Sequence, residues 1–445
     1  MHHRWKVAIL LLTIVSLMSG CFGKKEVLEP LQPSKIKVLY QDEDAFYRDY
    51  GKYFHMKYPQ IEVEIIPQTQ VLKNLGPMIS GKDWDMEMKK LLENSGADVL
   101  RMGTDMFQSF AKNGMLYELE DVIRQDDYDM EGFLPGVIDR MKSLGNGKLY
   151  GLAPYIDRQA LYYNAALFKE HHIEPPKNNM TWQEVLDLSA RFANIGSGES
   201  KVHGYYEWIG SLRYFLFRIA DTSGLRLFDP KGEKVILNTE GWKKAIKQTT
   251  DAMRSKTVFF HPEGQIYSQK SYFYNDQAAM MISNAYTSLE LINNKKDWGV
   301  VTAPIDPAMD SSSIDFEFIY AVAADSANKR AAWEFVKFVN GPEMAQARSR
   351  TLKGQLPSRN GYMKDIKGRS TDPYYTPKIR AENNIERDAR IPSEFFPSFD
   401  KLLRVELDAV VANEKTVDEA AAALEEKAQE LLMKVQESAN KDKAK

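Results

Sequence analysis

The sequence has almost no cysteine: one residue, Cys21, in 445. No disulfide can form within the chain, which excludes a redox dithiol and leaves stability to a large core alone. It also lacks an excess of charge of either sign. With 59 Lys+Arg against 62 Asp+Glu the net charge is -3, which leaves no electrostatic footprint for nucleic acid. There is no Gly-x-Ser-x-Gly, no Gly-x-x-x-x-Gly-Lys-Ser/Thr and no Gly-x-Gly-x-x-Gly. A nucleophile elbow, a phosphate-cradling loop and a dinucleotide fingerprint are thereby excluded. The histidines are scattered: His2 and His3 stand at the start, His171 and His172 are adjacent, and His55, His203 and His261 are isolated. None has metal-ligand spacing, so neither a metal nor a cofactor is expected. No internal repeat and no low-complexity block is present.

The cysteine's position carries information. Arg4 and Lys6 precede an apolar run from Val7 to Met18, and Ser19 and Gly20 are small. That order is a secretory signal, and the run is shorter than the roughly 20 residues that span a bilayer. Leu17, Met18, Ser19, Gly20 and Cys21 resemble a bacterial lipobox, with Met18 where Leu is commoner. The resemblance implies removal of 1–20, lipidation of Cys21 and a tether over 21–34. An ordinary cleaved signal or an uncleaved anchor would equally place the rest of the chain outside the cytoplasm.

Composition of 43% hydrophobic and 27% charged residues is that of a globular protein, and the length suits two or three domains. KIKVLY (35–40) reads as a strand and AFYRDYGKYFHMKYP (45–59) as a helix stopped by Pro59. IEVEIIP (61–67) is a second strand, making a parallel crossover unit. Residues 83–94 read as a helix, ADVLRMG (97–103) as a buried strand, and MFQSFAKNGMLYEL (106–119) as a helix ended by Gly114 in a left-handed conformation. Two extended stretches are expected in 148–164. A helix capped by Thr181 follows, with Glu184 completing a capping box. Residues 239–256 and 268–294 read as helices, WGVVTAPI (298–305) and FIYAVAA (318–324) as strands, and 329–340 and the C-terminal region as helices. Alternating strands and helices predict an α/β protein, whose ligands bind outside the carboxyl ends of the strands.

At those ends stand aromatic and polar residues. YQDED supplies Tyr40, Gln41, Asp42 and Glu43, although an acidic helix cap explains part of it. YIDRQ supplies Tyr155, Asp157 and Arg158, and is also compatible with a surface turn. YYEW supplies Trp208, with burial of the whole tetrad as the alternative. NAYTS supplies Asn284 and Tyr286, and FEF supplies Phe316 and Glu317, the glutamate facing away from its neighbours on a strand. Flat rings cover the C–H faces of sugars, while carboxylates and amides bond their hydroxyls. The same carboxylates could act as a glycosidase pair, depending on a separation the sequence does not fix.

The stretches KIKVLYQDEDAFYRDYGKYFHMKYPQIEVEII, ADVLRMGTDMFQSFAKNGMLYELEDVI, GKLYGLAPYIDRQALYYNAALFKEHHIEPPKNNMTWQEVLDLSARF, NDQAAMMISNAYTSLE, WGVVTAPID, AWEFVKFVNGPE and GQLPSR resemble family 1 of the extracellular solute-binding proteins of ABC importers, the carbohydrate type related to maltose-binding protein. The resemblance implies a two-lobed, hinged, type II periplasmic-binding-protein-like fold. One lobe would comprise 35–154 with 302–360, the other 155–301 with 361–445. It implies a non-enzymatic monomer, lipid-anchored to the outer face of a Gram-positive membrane, that passes a mono- or oligosaccharide to permease subunits. It adds Asp105 to the site and divides the contacts between the lobes: Tyr40 to Glu43 and Asp105 on the first, Trp208, Asn284 and Tyr286 on the second. A cell-surface glycosidase and a sensing partner of a membrane kinase are the alternatives.

Overall fold

The computed structural model describes residues 27–69, 81–261, 271–294, 297–309, 311–351, 354–382, 391–392 and 394–443. The signal-like segment and Cys21 lie outside the described residues.

The strands in chain order are β1 (Ser34–Tyr40), β2 (Ile61–Pro67), β3 (Val99–Met102), β4 (Gly151–Leu152), β5 (Tyr155–Ile156), β6 (Gln159–Tyr163), β7 (His203–Glu207) and β8 (Val258–Phe260). They continue with β9 (Ala278–Asn284), β10 (Gly299–Thr302), β11 (Ser311–Ser312), β12 (Ile319–Val322) and β13 (Leu356–Pro357). Two five-stranded sheets result, ordered β2-β1-β3-β12-β4 and β10-β6-β9-β7-β8. In the first, β1 runs parallel to β2 and β3, and β12 is antiparallel to β3 and β4. In the second, β7 runs parallel to β8 and β9, while β6 is antiparallel to β9 and β10.

Side-chain alternation explains the layers. Ile36 and Val38 of β1 are wholly buried, and Lys35 on the other phase reaches Glu62 and Glu64 of β2. The helix Lys329–Val339 covers this core with Trp333, Phe335 and Val336, and Phe46 and Phe54 pack on Phe335. The helical segment before β2 contains a π-turn at Tyr47–Gly51. A Cβ on Gly51 would stand 2.6 Å from the Phe46 ring, so only glycine lets the turn close over that ring. Around the second sheet, Leu161, Tyr205 and Met280 meet Trp182, Phe215 and Trp242. The C-terminal helices Phe395–Val411 and Val417–Lys443 close that core with Phe399, Leu403, Leu424 and Ala428. The opposite face of the same sheet, through Tyr162, Tyr206 and Met281, joins the core of the first.

Several expectations hold. The helix Thr104–Lys112 ends before Gly114 at φ +68°, and the Thr181–Glu184 capping box is formed in both directions. Two do not. Residues 278–284, expected in a helix, form β9 at the centre of the second sheet. AAMMISN is apolar on both faces because both faces are covered, so it lacks the period-two signal of a half-exposed strand. Asp276 at φ +60° makes the turn into it. The 148–164 region holds three strands, β4, β5 and β6, rather than two extended stretches. Among the described residues no helix is long and apolar enough to cross a membrane.

Segments running between the sheets bond to one another. β5 pairs with β13. Asp157 and Asp315 exchange backbone hydrogen bonds of 2.7 and 3.0 Å. A third segment carries Ser370 onward past the second sheet to Lys378–Ile379, which pairs with β11.

Because the capping box satisfies two orphan N–H groups of the helix Trp182–Ala190, Thr181→Ala should lower the unfolding free energy by about 1 kcal/mol, measured as a shift of the urea midpoint.

Candidate functional site

The parallel strands of each sheet direct their carboxyl ends toward the crossing segments. In the first sheet β1 ends at Tyr40 and β3 at Met102, with the start of β12 beside it. In the second, β7 ends at Glu207 and β9 at Asn284, and Gln159, which begins the antiparallel β6, stands in register with Asn284. The Asp157–Asp315 bridge joins these two sets of strand ends.

Around that bridge the side chains form one polar group. Thr104 donates to Asp315 Oδ1 at 2.7 Å, and Asn284 Nδ2 donates to Asp157 Oδ2 at 3.3 Å. Gln355 donates to Glu317 Oε2 at 2.5 Å. A bridged antiparallel pair directs its side chains to one face, which sets Asp157 and Asp315 together, and Glu317 lies near enough to act on Asp157. Burial pushes the Asp157 carboxyl above its ordinary value; the Asn284 bond opposes this, and the neighbouring Asp315 and Glu317 add to the rise. Glu317 is exposed while Phe316 is buried, the opposition expected from the sequence.

Of the other residues expected here, Asn284, Asp157 and Glu317 are those brought together. Gln41 and Glu43 are exposed beyond β1, and Asp42 caps the following helix by accepting from the Ala45 N–H at 2.7 Å, so capping accounts for part of YQDED. Asp105 is half-buried in the first turn of the helix Thr104–Lys112, where a carboxylate complements the helix dipole. Trp208 is half-buried, its indole N–H donating to the Ile282 carbonyl at 2.8 Å; Tyr205, Tyr206 and Glu207 beside it are wholly buried. Tyr286 is 54% exposed.

Four expected contacts have internal partners instead. Tyr40 is buried and its hydroxyl donates to Asp49 at 3.0 Å. Asp49 also accepts from Arg348, whose Nε donates to the Tyr155 hydroxyl at 2.9 Å, so both tyrosines belong to one buried chain. Arg158 is buried and donates to the carbonyls of Tyr374 and Pro377 at 2.8 and 2.6 Å and of Lys378 at 3.3 Å. Burial pushes its guanidinium down to about 10. Phe316 is 3% exposed, within the core. Sequence position at a strand end cannot distinguish a side chain facing outward from one folded under the loop.

Other residues of the group were not anticipated. Thr104, Asp315 and Gln355 adjoin the chosen motifs or lie in the quoted GQLPSR, and Gln159 closes YIDRQ; only pairing brings them together. Arg101 lies 3.2 Å over the Phe318 ring and donates to Gln68, a contact between strand ends with no local signal. Among the described residues no group of three His, Cys, Asp or Glu side chains is placed to hold a metal.

Comparison with known proteins gives this geometry a context. Residues 79–372 match the model of a family described as bacterial extracellular solute-binding protein. The chain is 23% identical to the arabinooligosaccharide-binding protein of Bacillus subtilis over 61% of this chain and 58% of the relative. It is 25% identical to the maltotriose-binding protein of Pyrococcus abyssi over 63% and 60%. Thus the match spans about three fifths of the length of these curated relatives. Among solved structures, the sugar-binding protein MalE from Xanthomonas citri superposes with a TM-score of 0.69 at 17% identity, covering 91% of this chain and 99% of that one. An ABC substrate-binding protein from Listeria monocytogenes in complex with cycloalternan gives 0.65 at 17%, covering 90% and 99%. The fold is therefore the α/β, type II periplasmic-binding-protein-like fold.

Asp157→Asn should remove the cost of a half-buried charge beside two others. With the folded-state carboxyl raised, protonation favours the folded state, and that contribution is lost as pH rises through the folded value. The variant should therefore melt roughly 1–3 °C higher than wild type at pH 7. The difference should vanish below the ordinary carboxylate range. A calorimetric melting series from pH 3 to pH 7 checks both, and a difference that persists at pH 3 contradicts the assignment.

Proposed function

The chain belongs to the bacterial extracellular solute-binding proteins, and from that premise we propose that it captures a sugar or oligosaccharide between two lobes and delivers it to the permease of an ABC importer. The observation that carries this reading is the meeting of strand ends from both sheets around Asp157, Asn284, Asp315, Glu317 and Gln355, with Trp208 and the exposed Tyr286 at the ends of β7 and β9. Amides and carboxylates bond hydroxyls, and rings cover the C–H faces of a pyranose or furanose. Gln41, Asp42, Glu43 and Asp105 follow the first sheet's strand ends and are offered as further contacts. Tyr40, Tyr155, Arg158 and Phe316 support it from beneath.

In this reading the lobes are 35–154 with 302–360, and 155–301 with 361–445. The crossing segments are the hinge. A sugar that touches both lobes only when they close shifts the population toward the closed form by its difference in affinity for the two forms. The chain binds rather than transforms its ligand, works as a monomer, and is held at the outer face of the membrane by lipid on Cys21.

A thermal-shift panel of mono- and oligosaccharides that includes maltotriose and arabinotriose tests the ligand class. A sugar at 100 times its Kd should stabilise the protein by about 2.7 kcal/mol, and no shift across the panel contradicts the carbohydrate reading. By calorimetry Trp208→Ala should lose about 1–3 kcal/mol of binding energy, whereas unchanged affinity would remove Trp208 from the site. For the anchor, Cys21→Ser should release the protein into the medium or leave it as uncleaved precursor. Detection of lipidated Cys21→Ser protein in the detergent phase would refute the anchor.

A further inference from the structure

Glu207 closes β7 with its side chain 1% exposed, and its Oε2 lies 3.1 Å from Nε of Arg218, whose side chain is 9% exposed. Glu207 Oε1 accepts from the Ile209 N–H at 3.2 Å. Two opposite charges buried together hold one another, since either one leaving would strand the other out of water. Arg218 therefore keeps one orientation on its helix, Leu212–Thr222.

From that position Arg218 Nη1 donates to Oε1 of Gln159. A guanidinium has donors only, so the amide oxygen must face it and the amide nitrogen must face away. Gln159 is exposed and sits opposite Asn284 in the β6–β9 register, which sets both side chains on one face. Asn284 is oriented the other way. Its Nδ2 donates to Asp157, which leaves Oδ1 as the amide's acceptor, turned away from that carboxylate. A neutral amide normally turns to suit whatever approaches; here a cation fixes one and a carboxylate fixes its neighbour.

We propose that Glu207 and Arg218 are positioning residues that set Gln159 as a donor and, with Asn284 set as an acceptor by Asp157, make a fixed donor–acceptor pair that reads one sugar hydroxyl. A hydroxyl accepts one hydrogen bond and donates another, so it satisfies both amides at once. An ether oxygen or a deoxy position satisfies one at most. This selectivity rests on the carbohydrate reading of the site.

The test is Gln159→Glu, probed with maltotriose, arabinotriose and the rest of the saccharide panel. The carboxylate keeps an oxygen toward Arg218 but replaces the outward N–H donors with an acceptor. Sugar affinity should fall at least tenfold while the sugar-free melting temperature does not fall, because the carboxylate still accepts from Arg218 and the Glu207–Arg218 pair is untouched. A second pair of variants isolates the positioning role. In Glu207→Gln/Arg218→Met, which leaves no lone buried charge, affinity should also fall at least tenfold, and adding Gln159→Ala should cost nothing more. Wild-type binding with unchanged affinity in Gln159→Glu, or additive losses in the combined variant, overturns the proposal alone. Wild-type protein that binds no sugar in the panel overturns the carbohydrate reading and this proposal with it.

Discussion

The two sheets meet where they do because the segments between them are bonded to one another. Asp157 and Asp315 exchange backbone hydrogen bonds, β5 pairs with β13, and Arg158 holds the carbonyls of Tyr374, Pro377 and Lys378. The Asp157–Asp315 bridge ties chain leaving the first sheet for β6 to chain leaving the second for β12, and the other two contacts tie the same crossing to later segments. They add directional bonds to the apolar packing of Tyr162, Tyr206 and Met281 that joins the two sheets. With them, Thr104 and Asn284, which are far apart in sequence, bond to the two halves of a single bridge.

This constraint separates two kinds of polar residue that look alike in sequence. One kind lies under the loops: Tyr40, Asp49, Arg348 and Tyr155 form a continuous buried chain, and Glu207 and Arg218 form a buried pair. These groups are out of water and must be partnered internally, since an unpaired buried charge or hydroxyl costs several times what a pair contributes. The other kind lies at the ends of the buried groups and is oriented by them. Arg348 reaches Gln355 as well as Tyr155, and Arg218 reaches Gln159. Rigidity at the surface thus comes from charges below it, so a recognition site on loops can hold a defined pattern of donors and acceptors.

The carboxyl cluster of Asp157, Asp315 and Glu317 shows the same logic with the opposite sign. Three carboxyl groups gather near the bridge, and each accepts from a neutral donor, Asn284, Thr104 or Gln355. Such a cluster favours hydroxyl donors and disfavours anions. Its electrostatics suit neutral polar solutes better than phosphorylated ones.

Sequence by itself determined the strands and helices whose faces differ: KIKVLY, IEVEIIP, the Thr181 cap, the Gly114 stop and the Trp333 helix all carry a period or a capping residue that local physics reads directly. It also marked the neighbourhood of the candidate site, since strand-end motifs such as YQDED, YIDRQ and NAYTS are local. Tertiary structure alone decided β9, because a strand covered on both faces has no amphipathic period. Only the fold could decide which polar residues face outward. Tyr155, Asp157, Arg158 and Gln159 lie in one pentapeptide, yet they end respectively on Arg348, Asp315, three carbonyls and Arg218. Those partners come from distant parts of the chain, and a side chain's direction at a strand end follows from the partner that reaches it.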